Sequence, residues 1–378
     1  MLGYLIPIFS YFANTITSTW KKIIRKLITP LFVMGVFVIY EAKFFNCLCP
    51  LSNILNYLLT PLFLFYSFVG LLCFYKLPMY GLLQKLTNFI NKIIHSIKII
   101  NFSIVCPKFN PFIAVFLLIG LFIFMYYLSI RFKPIYLTII SFLATIITIN
   151  CLPIKNVISE QVSFINVGQG DSCLIRKGTS TILIDTGGSL YTDIANNCLI
   201  PYLRKNRIYN IDYVITTHDD YDHKGALETL MKNFKVKEYI YDKASFPLSI
   251  KDIQITNYNN YISESDDNNN NSLVLGFNLC HKNFLIMGDA PIEIEKKIMK
   301  DYKYIPCDIL KVGHHGSNTS TCKEFISYLK PEEAIISVGK NYYGHPHKTV
   351  LKTLSQKNIT IKRTDQLGTI TYSNYIFM

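Results

Sequence analysis

The stretch THDDYDHKG, at positions 217–225, concentrates side chains that could do chemistry. His218 and His223 enclose three aspartates within six positions, directly behind an apolar run. Carboxylates this close repel one another, and each raises the pKa of the others unless a cation neutralises them. The stretch therefore indicates a metal site, with a solvated acidic loop as the alternative, and the motif alone does not decide between the two.

Similar residue types recur in short stretches further along the chain. They are Asp289 in LIMGD, His314 and His315 in LKVGHH, and His345 and His347 in YGHPH. Each stretch follows or approaches the end of a predicted strand, and loops at strand ends carry the sites of α/β proteins. Solvation alone is a poor explanation for the whole constellation, so together these stretches favour a metal-dependent site.

Two further aspartates lie in Gly-rich turns, Asp171 in VGQGD and Asp185 in IDTGG. For both we favour support of the turn and loop, with the carboxylate accepting hydrogen bonds from nearby backbone N–H groups. VGQGD is not interpreted as a nucleotide-binding loop, because no GxxxxGK pattern accompanies it.

Short strands separated by turn residues are predicted from residue 159 onward. The predicted strands lie in 162–176, 180–188, 211–217, the pair SLVLGFNL and NFLIMGD, CDILKVG, AIISVG, ITIKRT and TITYSNYIF. Helices are predicted at 225–234, in PIEIEKKIMK and in TVLKTLSQK. This alternation predicts one α/β or α+β domain over 159–378.

Residues 1–158 are apolar and carry nearly all of the net charge. They contain thirteen Lys/Arg and one acidic residue, whereas 159–378 contain twenty-five Lys/Arg and twenty-four Asp/Glu. The uncharged runs 110–130 and 134–154 are long enough to cross a bilayer, and 49–75 is a third predicted span. Basic residues beside apolar segments are typical of membrane proteins, which explains the charge better than nucleic-acid binding does.

Two features of this region concern its relation to the membrane. Residues 79–105 alternate Lys with apolar residues at helical spacing, which predicts an amphipathic helix lying on the membrane surface. The basic loop RFK, at 131–133, favours the cytoplasm by the positive-inside rule, although the lysines of 76–108 argue the other way. We therefore expect a multi-pass protein of the cell membrane with 159–378 extracytoplasmic.

Taken in chain order, the motifs resemble a known family. THDDYDHKG is similar to the HxHxDH signature of the metallo-β-lactamase superfamily, with Asp220 in place of the middle histidine. The series INVGQGD, ILIDTGG, THDDYDHKG, SLVLGF, LIMGDAP, LKVGHHGS and YGHPHKTV resembles the C-terminal domain of the ComEC family of competence proteins. The resemblance covers 160–372, and the preceding apolar segments resemble the end of that family's membrane region. We expect a truncated gene, one half of a split protein or a short relative.

The resemblance implies a fold and a set of metal ligands. The fold would be α-helical membrane segments at 1–158 followed by a metallo-β-lactamase-like αββα four-layer sandwich at 159–378. The sandwich would hold two divalent metal ions. The implied ligands are His218 and Asp220 for one ion, Asp222 and His223 for the other, Asp289 bridging both, and His314 or its neighbour His315 completing the second site.

The first ion would have few ligands, most of them oxygen atoms. The superfamily usually supplies another histidine before Asp289, but this sequence offers only an asparagine run ending at Asn271. His281 lies in the predicted hairpin turn and is expected to be exposed. Oxygen ligands shift the preference toward Mn²⁺ or Mg²⁺ over Zn²⁺. We expect manganese or zinc, with weak occupancy as the alternative.

Two neighbouring cations would support hydrolysis of a phosphodiester. The residues implied in catalysis are Asp222 as a ligand, Asp289 as a ligand that also orients the attacking water, and His345. His345 would contact the phosphate or protonate the leaving group, and a core or turn role is the alternative for it.

The expected function is a membrane-anchored component of DNA uptake whose nuclease domain degrades one strand of incoming DNA. Its expected partners are single- or double-stranded DNA, the membrane, and a separate competence membrane subunit or a second copy of the chain. A surface metallo-hydrolase of another phosphoester or ester is one alternative, favoured by the near-neutral charge of 159–378. An inactive truncated relic is the other.

Overall fold

The chain divides into two compact units, Met1–Leu152 with Arg204–Asn206, and Pro153–Leu203 with Arg207–Met378. The computed structural model describes parts of the first unit and most of the second. The described residues are 47–48, 50–75, 78–99, 104–105, 152–260, 268–375 and a few single positions between 119 and 146.

The described part of the first unit contains two longer helices, α1 (Pro50–Phe74) and α2 (Tyr80–Ile99). Strand β1 (Cys47–Leu48) pairs antiparallel with β2 (Ile104–Val105). Helix α2 accounts for most of the helix predicted at 79–105.

Among the described residues, no helix has both the length and the apolar character needed to cross a bilayer. The predicted span at 49–75 forms helix α1, but it is not supported as a membrane crossing. The spans predicted at 110–130 and 134–154 lie almost wholly outside the described residues.

Two β-sheets form the centre of the second unit. Their strands are β3 (Ser159–Phe164), β4 (Cys173–Lys177), β5 (Ser180–Ile184), β6 (Asn210–Ile215), β7 (Lys235–Ile240), β8 (Leu248–Ile250), β9 (Ile253–Asn257), β10 (Leu275–Leu279), β11 (Lys282–Ile286), β12 (Ile309–Lys311), β13 (Glu333–Ile336), β14 (Thr360–Arg363) and β15 (Ile370–Tyr375). The first sheet has the order β15-β3-β4-β5-β6-β7, and the second has the order β14-β13-β12-β11-β10-β9-β8.

Helices and short helical turns connect these strands. The helices are α3 (Ile154–Val157), α4 (Ile200–Lys205), α5 (Tyr221–Lys224), α6 (Leu227–Asn233), α7 (Ile292–Asp301), α8 (Lys323–Leu329), α9 (Lys348–Gln356) and α10 (Thr364–Leu367). A π-helical turn covers Ala195–Leu199, and 3₁₀ turns cover Lys243–Ser245, Asn268–Asn271 and Gly313–Gly316.

Three apolar cores give the second unit its layers. The core between the sheets joins residues of the first sheet, such as Phe164, to residues of the second, such as Phe284. On the outer face of the first sheet, Leu203 of α4 and Leu230 of α6 are buried, and α7, α8 and α9 bury the outer face of the second. Since each face of a sheet must be covered by another layer, the result is the αββα sandwich expected from the sequence.

The strand directions bring several loops to one place. In the first sheet β5, β6 and β7 are parallel, and in the second β11, β12, β13 and β14 are parallel. Hairpin β10–β11 pairs Leu275 with Ile286, which confirms the pairing predicted for SLVLGFNL and NFLIMGD. The residues that follow β5, β6, β11 and β12 supply the site described next.

Candidate metal centre

Among the described residues, three clusters of potential metal ligands share His223, and one of them combines it with Asp171 and Asp185. His218, His223 and Asp289 form the first cluster, and Asp222, His223 and His315 form the second. In each cluster the ligand atoms lie within 4.8 Å of one another. His223 is fully buried, and only Asp222 among these residues is more than slightly exposed. The ligands come from loops of both sheets.

The polar atoms at the centre of the first cluster lack ordinary partners. His218 Nε2, His223 Nε2 and Asp289 Oδ1 are buried without a hydrogen-bond partner among the described residues. His223 Nε2 lies 3.1 Å from Asp289 Oδ1, and His218 Nε2 lies 3.9 Å from Asp289 Oδ2. Burial of unpaired polar atoms is costly, and imidazole nitrogen with carboxylate oxygen is a donor set for zinc or manganese. These residues therefore fit a divalent cation.

Asp289 lies where the two clusters meet. It follows β11 directly after Gly288, whose φ of 54° is open to glycine at little steric cost. The backbone N–H of Asp289 donates to Ser272 Oγ at 3.2 Å. Its Oδ2 lies 3.8 Å from His315 Nε2 and 3.8 Å from His314 Nε2. Asp289 thus lies near ligands of both clusters, but the residue that the clusters share is His223, so the bridging role of Asp289 stays a prediction.

Asp185 orients the shared histidine. His223 Nδ1 lies 2.9 Å from Asp185 Oδ2, so this contact occupies one ring nitrogen and leaves Nε2 facing Asp289. Asp185 in turn accepts hydrogen bonds from the backbone N–H of Thr217 at 2.7 Å and from its hydroxyl at 2.8 Å. The Asp185 carboxylate thus accepts a backbone N–H, but that N–H belongs to the loop after β6 and not to its own turn. The contact of Asp185 with His223 is not indicated by the sequence.

His315 is oriented in the same manner. Its Nδ1 lies 3.0 Å from the carbonyl oxygen of Ser337, and its Nε2 lies 3.1 Å from Asp222 Oδ2. Asp222 is placed by close backbone packing: its carbonyl oxygen accepts the N–H of Asp171 at 3.2 Å. A Cβ on Gly170 would lie 2.5 Å from that same oxygen, so the close approach requires glycine there.

Three of the expected site residues lie at the edge of this arrangement. Asp220 is outside both clusters: its Oδ2 is 3.5 Å from His218 Nε2, and its Oδ1 accepts from Asn268 Nδ2 at 3.2 Å. His314, the other histidine of its pair, hydrogen-bonds Thr319 Oγ1 through Nδ1 at 3.1 Å. The His345 ring lies 5.7 Å from the His314 ring and joins neither cluster.

A buried ion pair that the sequence did not reveal supports the second cluster. Lys311 is 2% exposed, and its Nζ lies 2.5 Å from Asp171 Oδ2. The other carboxylate oxygen of Asp171 lies 3.4 Å from His315 Nδ1. Asp171 therefore connects Lys311 to a candidate ligand, and, contrary to expectation, its carboxylate does not accept the backbone N–H groups of its own turn.

Burial and charge shift the pKa values of the site in opposite directions. Burial alone would lower the pKa of His223 and of His315, but the facing carboxylates, chiefly Asp289, raise both, that of His315 to about 10. Burial alone would raise the pKa of Asp289, yet His223 and His315 hold it well below its usual range. Burial and the charge of His223 lower the pKa of His218. A divalent cation would replace protons in balancing these carboxylates.

Replacing Asp185 with asparagine should weaken cation binding without removing a ligand. The amide keeps the size of the side chain but loses the charge that holds the Nδ1 proton of His223, and such outer partners contribute about 10–100-fold in metal affinity. Titration calorimetry with Mn²⁺ and Zn²⁺ measures the change. Asp193→Asn, at an exposed turn, is the control and should leave the affinity unchanged.

Comparisons with known proteins agree with this fold. Residues 165–252 match the metallo-beta-lactamase superfamily. ComE operon protein 3 of Bacillus subtilis is 37% identical over 255 residues, which cover 56% of this chain and 33% of that protein. Competence protein ComA of Neisseria gonorrhoeae is 26% identical over 231 residues, which cover 55% of this chain and 31% of that protein.

The chain spans about a third of the length of the curated relatives it matches. Among solved structures, the metallo-beta-lactamase fold protein YhfI of Bacillus subtilis aligns with 57% of this chain and 100% of its own length. The sequence identity in that alignment is 11% and the TM-score is 0.42.

Proposed function

We propose, from the relationship of this chain to the ComEC family of competence proteins, that its second unit is a metal-dependent phosphodiesterase that cleaves DNA during uptake. The observation that carries the proposal is the pair of ligand clusters that share His223. Two adjacent cations suit a phosphodiester, because the attacking and the leaving oxygen both need stabilisation. The similarity to a relative named as a competence protein supports DNA as the substrate.

The side chains of the site would have separate roles in such a reaction. His218, His223 and Asp289 would hold one cation. Asp222 and His315 would hold the other together with Asp289, whose Oδ2 lies 3.8 Å from His315 Nε2, because the one free nitrogen of His223 binds only one cation. Bound divalent cations lower the pKa of water and offset the charge of a phosphodiester. Asp289, at the junction of the clusters, is placed to accept a hydrogen bond from the attacking water.

His345 would contact the phosphate. Burial and the nearby His314 lower its pKa, which favours the neutral form of its ring. A neutral imidazole still donates one N–H hydrogen bond, which suits a non-bridging phosphate oxygen. This chemistry favours binding of the phosphate over protonation of the leaving group.

The first unit would attach the enzyme to the cell membrane. The uncharged runs 110–130 and 134–154 and the basic residues around them support this part of the proposal. A second chain, either another competence subunit or a copy of this one, would complete a passage for DNA. The second unit would then act outside the cytoplasm.

The proposal is tested with the full-length chain and its Asp222→Ala variant, incubated with linear duplex and single-stranded DNA in Mn²⁺ or Zn²⁺. We expect the wild type to cleave DNA and the variant to cleave it at least about a hundredfold more slowly. Asp222 is a candidate ligand, and even residues that only hydrogen-bond a ligand contribute about 10–100-fold in metal affinity or activity. His281→Ala, in the exposed hairpin turn, is the control and should cleave normally.

Two results would count against a DNA nuclease. Cation binding with intact DNA and hydrolysis of bis(p-nitrophenyl) phosphate would indicate a smaller phosphodiester as the substrate. Absence of cation binding in the wild-type chain would indicate an inactive relic.

A further inference from the structure

An exposed aromatic loop lies beside the candidate metal centre. The 339–347 loop connects β13 to α9, and its Tyr342 and Tyr343 are 104% and 77% exposed. The Tyr343 ring lies 5.8 Å from the His345 ring, which lies 5.7 Å from the His314 ring. A line of rings therefore runs from solvent to His314, whose Nε2 is 3.8 Å from Asp289.

Hydrogen bonds close this loop and attach it to the site. Asn341 Nδ2 donates to the carbonyl oxygens of Gly339 and His345, both at 2.9 Å, and Asn341 Oδ1 accepts from the His345 N–H at 3.1 Å. The N–H of His347 donates to the Gly316 carbonyl oxygen at 2.8 Å. The loop is thus held in shape by its backbone and by Asn341, while both tyrosine side chains face water. Such preorganisation lowers the entropy cost of binding a ligand.

The segment around the loop is basic. Residues 339–357 contain four lysines and no Asp or Glu, although 159–378 as a whole is close to neutral. Beyond them, Lys362 and Arg363 form ion pairs with Glu333 and Asp365. Lys340, Lys348 and Lys352 are exposed, and the last two lie one helical turn apart on α9. Three exposed lysines without an acidic residue near them in the sequence therefore lie in the same segment as the exposed tyrosines.

We propose that Tyr342 and Tyr343 stack on unpaired bases of single-stranded DNA, whose phosphates follow Lys340, Lys348 and Lys352 toward the metal centre. Aromatic side chains beside a basic track are the usual means of holding a single strand without regard to sequence. A duplex keeps its base faces stacked inside, so it offers nothing to these rings. The proposal rests on the proposed function and adds the form of DNA that the site receives.

Binding is measured by fluorescence anisotropy with a labelled oligo(dT) and a labelled hairpin duplex, using the full-length chain with EDTA to prevent cleavage. The Tyr342→Ala/Tyr343→Ala double variant should bind oligo(dT) at least about tenfold more weakly, because stacking of each base on an aromatic ring contributes to the free energy of binding. Its affinity for the duplex should not change. Lys348→Gln/Lys352→Gln should weaken binding and reduce its dependence on salt.

Two controls separate stacking from other effects. Tyr342→Phe/Tyr343→Phe keeps the rings and should bind as the wild type does. Tyr304→Ala removes a tyrosine that is 73% exposed and lies before the amino end of β12, away from the site, and should have no effect. Ultraviolet cross-linking of an oligonucleotide containing 5-iodouracil should label the 339–347 loop of the wild type.

The proposal is overturned if the double alanine variant binds oligo(dT) as tightly as the wild type, or loses affinity equally for the duplex. Failure of the proposed nuclease gives a different pattern. In that case oligo(dT) binding still depends on the two tyrosines, but no protein cleaves DNA or bis(p-nitrophenyl) phosphate. If the nuclease is correct and the stacking surface is not, the double alanine variant cleaves single strands with an unchanged KM.

Discussion

Replacing His223 with alanine should abolish cation binding and, with it, hydrolysis. His223 would hold the first cation, and its ring contacts Asp289, which would serve both cations. The variant also leaves Asp185 and Asp289 facing each other across the space of the lost ring, without the imidazole that now contacts both. We expect the affinity for Mn²⁺ and Zn²⁺ to fall by at least about a hundredfold. Elemental analysis of the purified chain and titration calorimetry measure this loss.

His218→Ala is the matched comparison for this variant. His218 belongs to the first cluster only, so its loss should remove one ion and leave the second cluster intact. Equal cation content in the two variants would contradict this wider role of His223. Circular dichroism of both variants shows whether any loss of binding comes from unfolding instead.

Replacing Lys311 with methionine should strongly destabilise the second unit. Its ammonium group neutralises Asp171 inside the protein and also donates to the Val312 carbonyl oxygen at 3.0 Å. Removal of one partner from a buried ion pair leaves an uncompensated charge, which costs about 3–5 kcal/mol. Urea denaturation followed by circular dichroism measures the free energy of unfolding.

Two further variants show whether the buried charge accounts for that loss of stability. Lys311→Met/Asp171→Asn removes the buried charge as well and should regain part of the lost stability. Lys282→Met breaks an ion pair with Glu332, 2.8 Å long and partly exposed, and should cost less than about 1 kcal/mol. If Lys282→Met and Lys311→Met lose the same stability, burial does not determine the strength of the Lys311 pair.

The sequence predicted those elements whose residue pattern is strong. Hairpin β10–β11 and helices α7 and α9 follow apolar periodicity, and the structure confirms them. Strands β7, β8 and β9 were not predicted. β7 has mostly polar residues because it is an edge strand with partly exposed side chains, and β8 has only three residues.

The site was predicted where its residues are local in the chain. His218, Asp222 and His223 are conspicuous because they lie in one loop, and Asp289 and His315 because each ends a strand. Lys311 was missed, since a lysine at the end of a short strand ordinarily faces solvent, and its partner is 140 positions away. Asn268 was missed because an asparagine run is typical of a loop, and its contact with Asp220 depends on how that loop folds back.

The assembly of the ligand clusters from both sheets has a consequence for the biogenesis of the protein. During synthesis His218 and His223 leave the ribosome well before Asp289. His315, which completes the second cluster, emerges later still. Domains fold as units, from the N-terminus onward, during synthesis. A nascent chain that ends before Asp289 can present histidines and carboxylates, but neither of these two complete clusters. The proposed cations can therefore be captured only after Asp289 has emerged and the two sheets have come together.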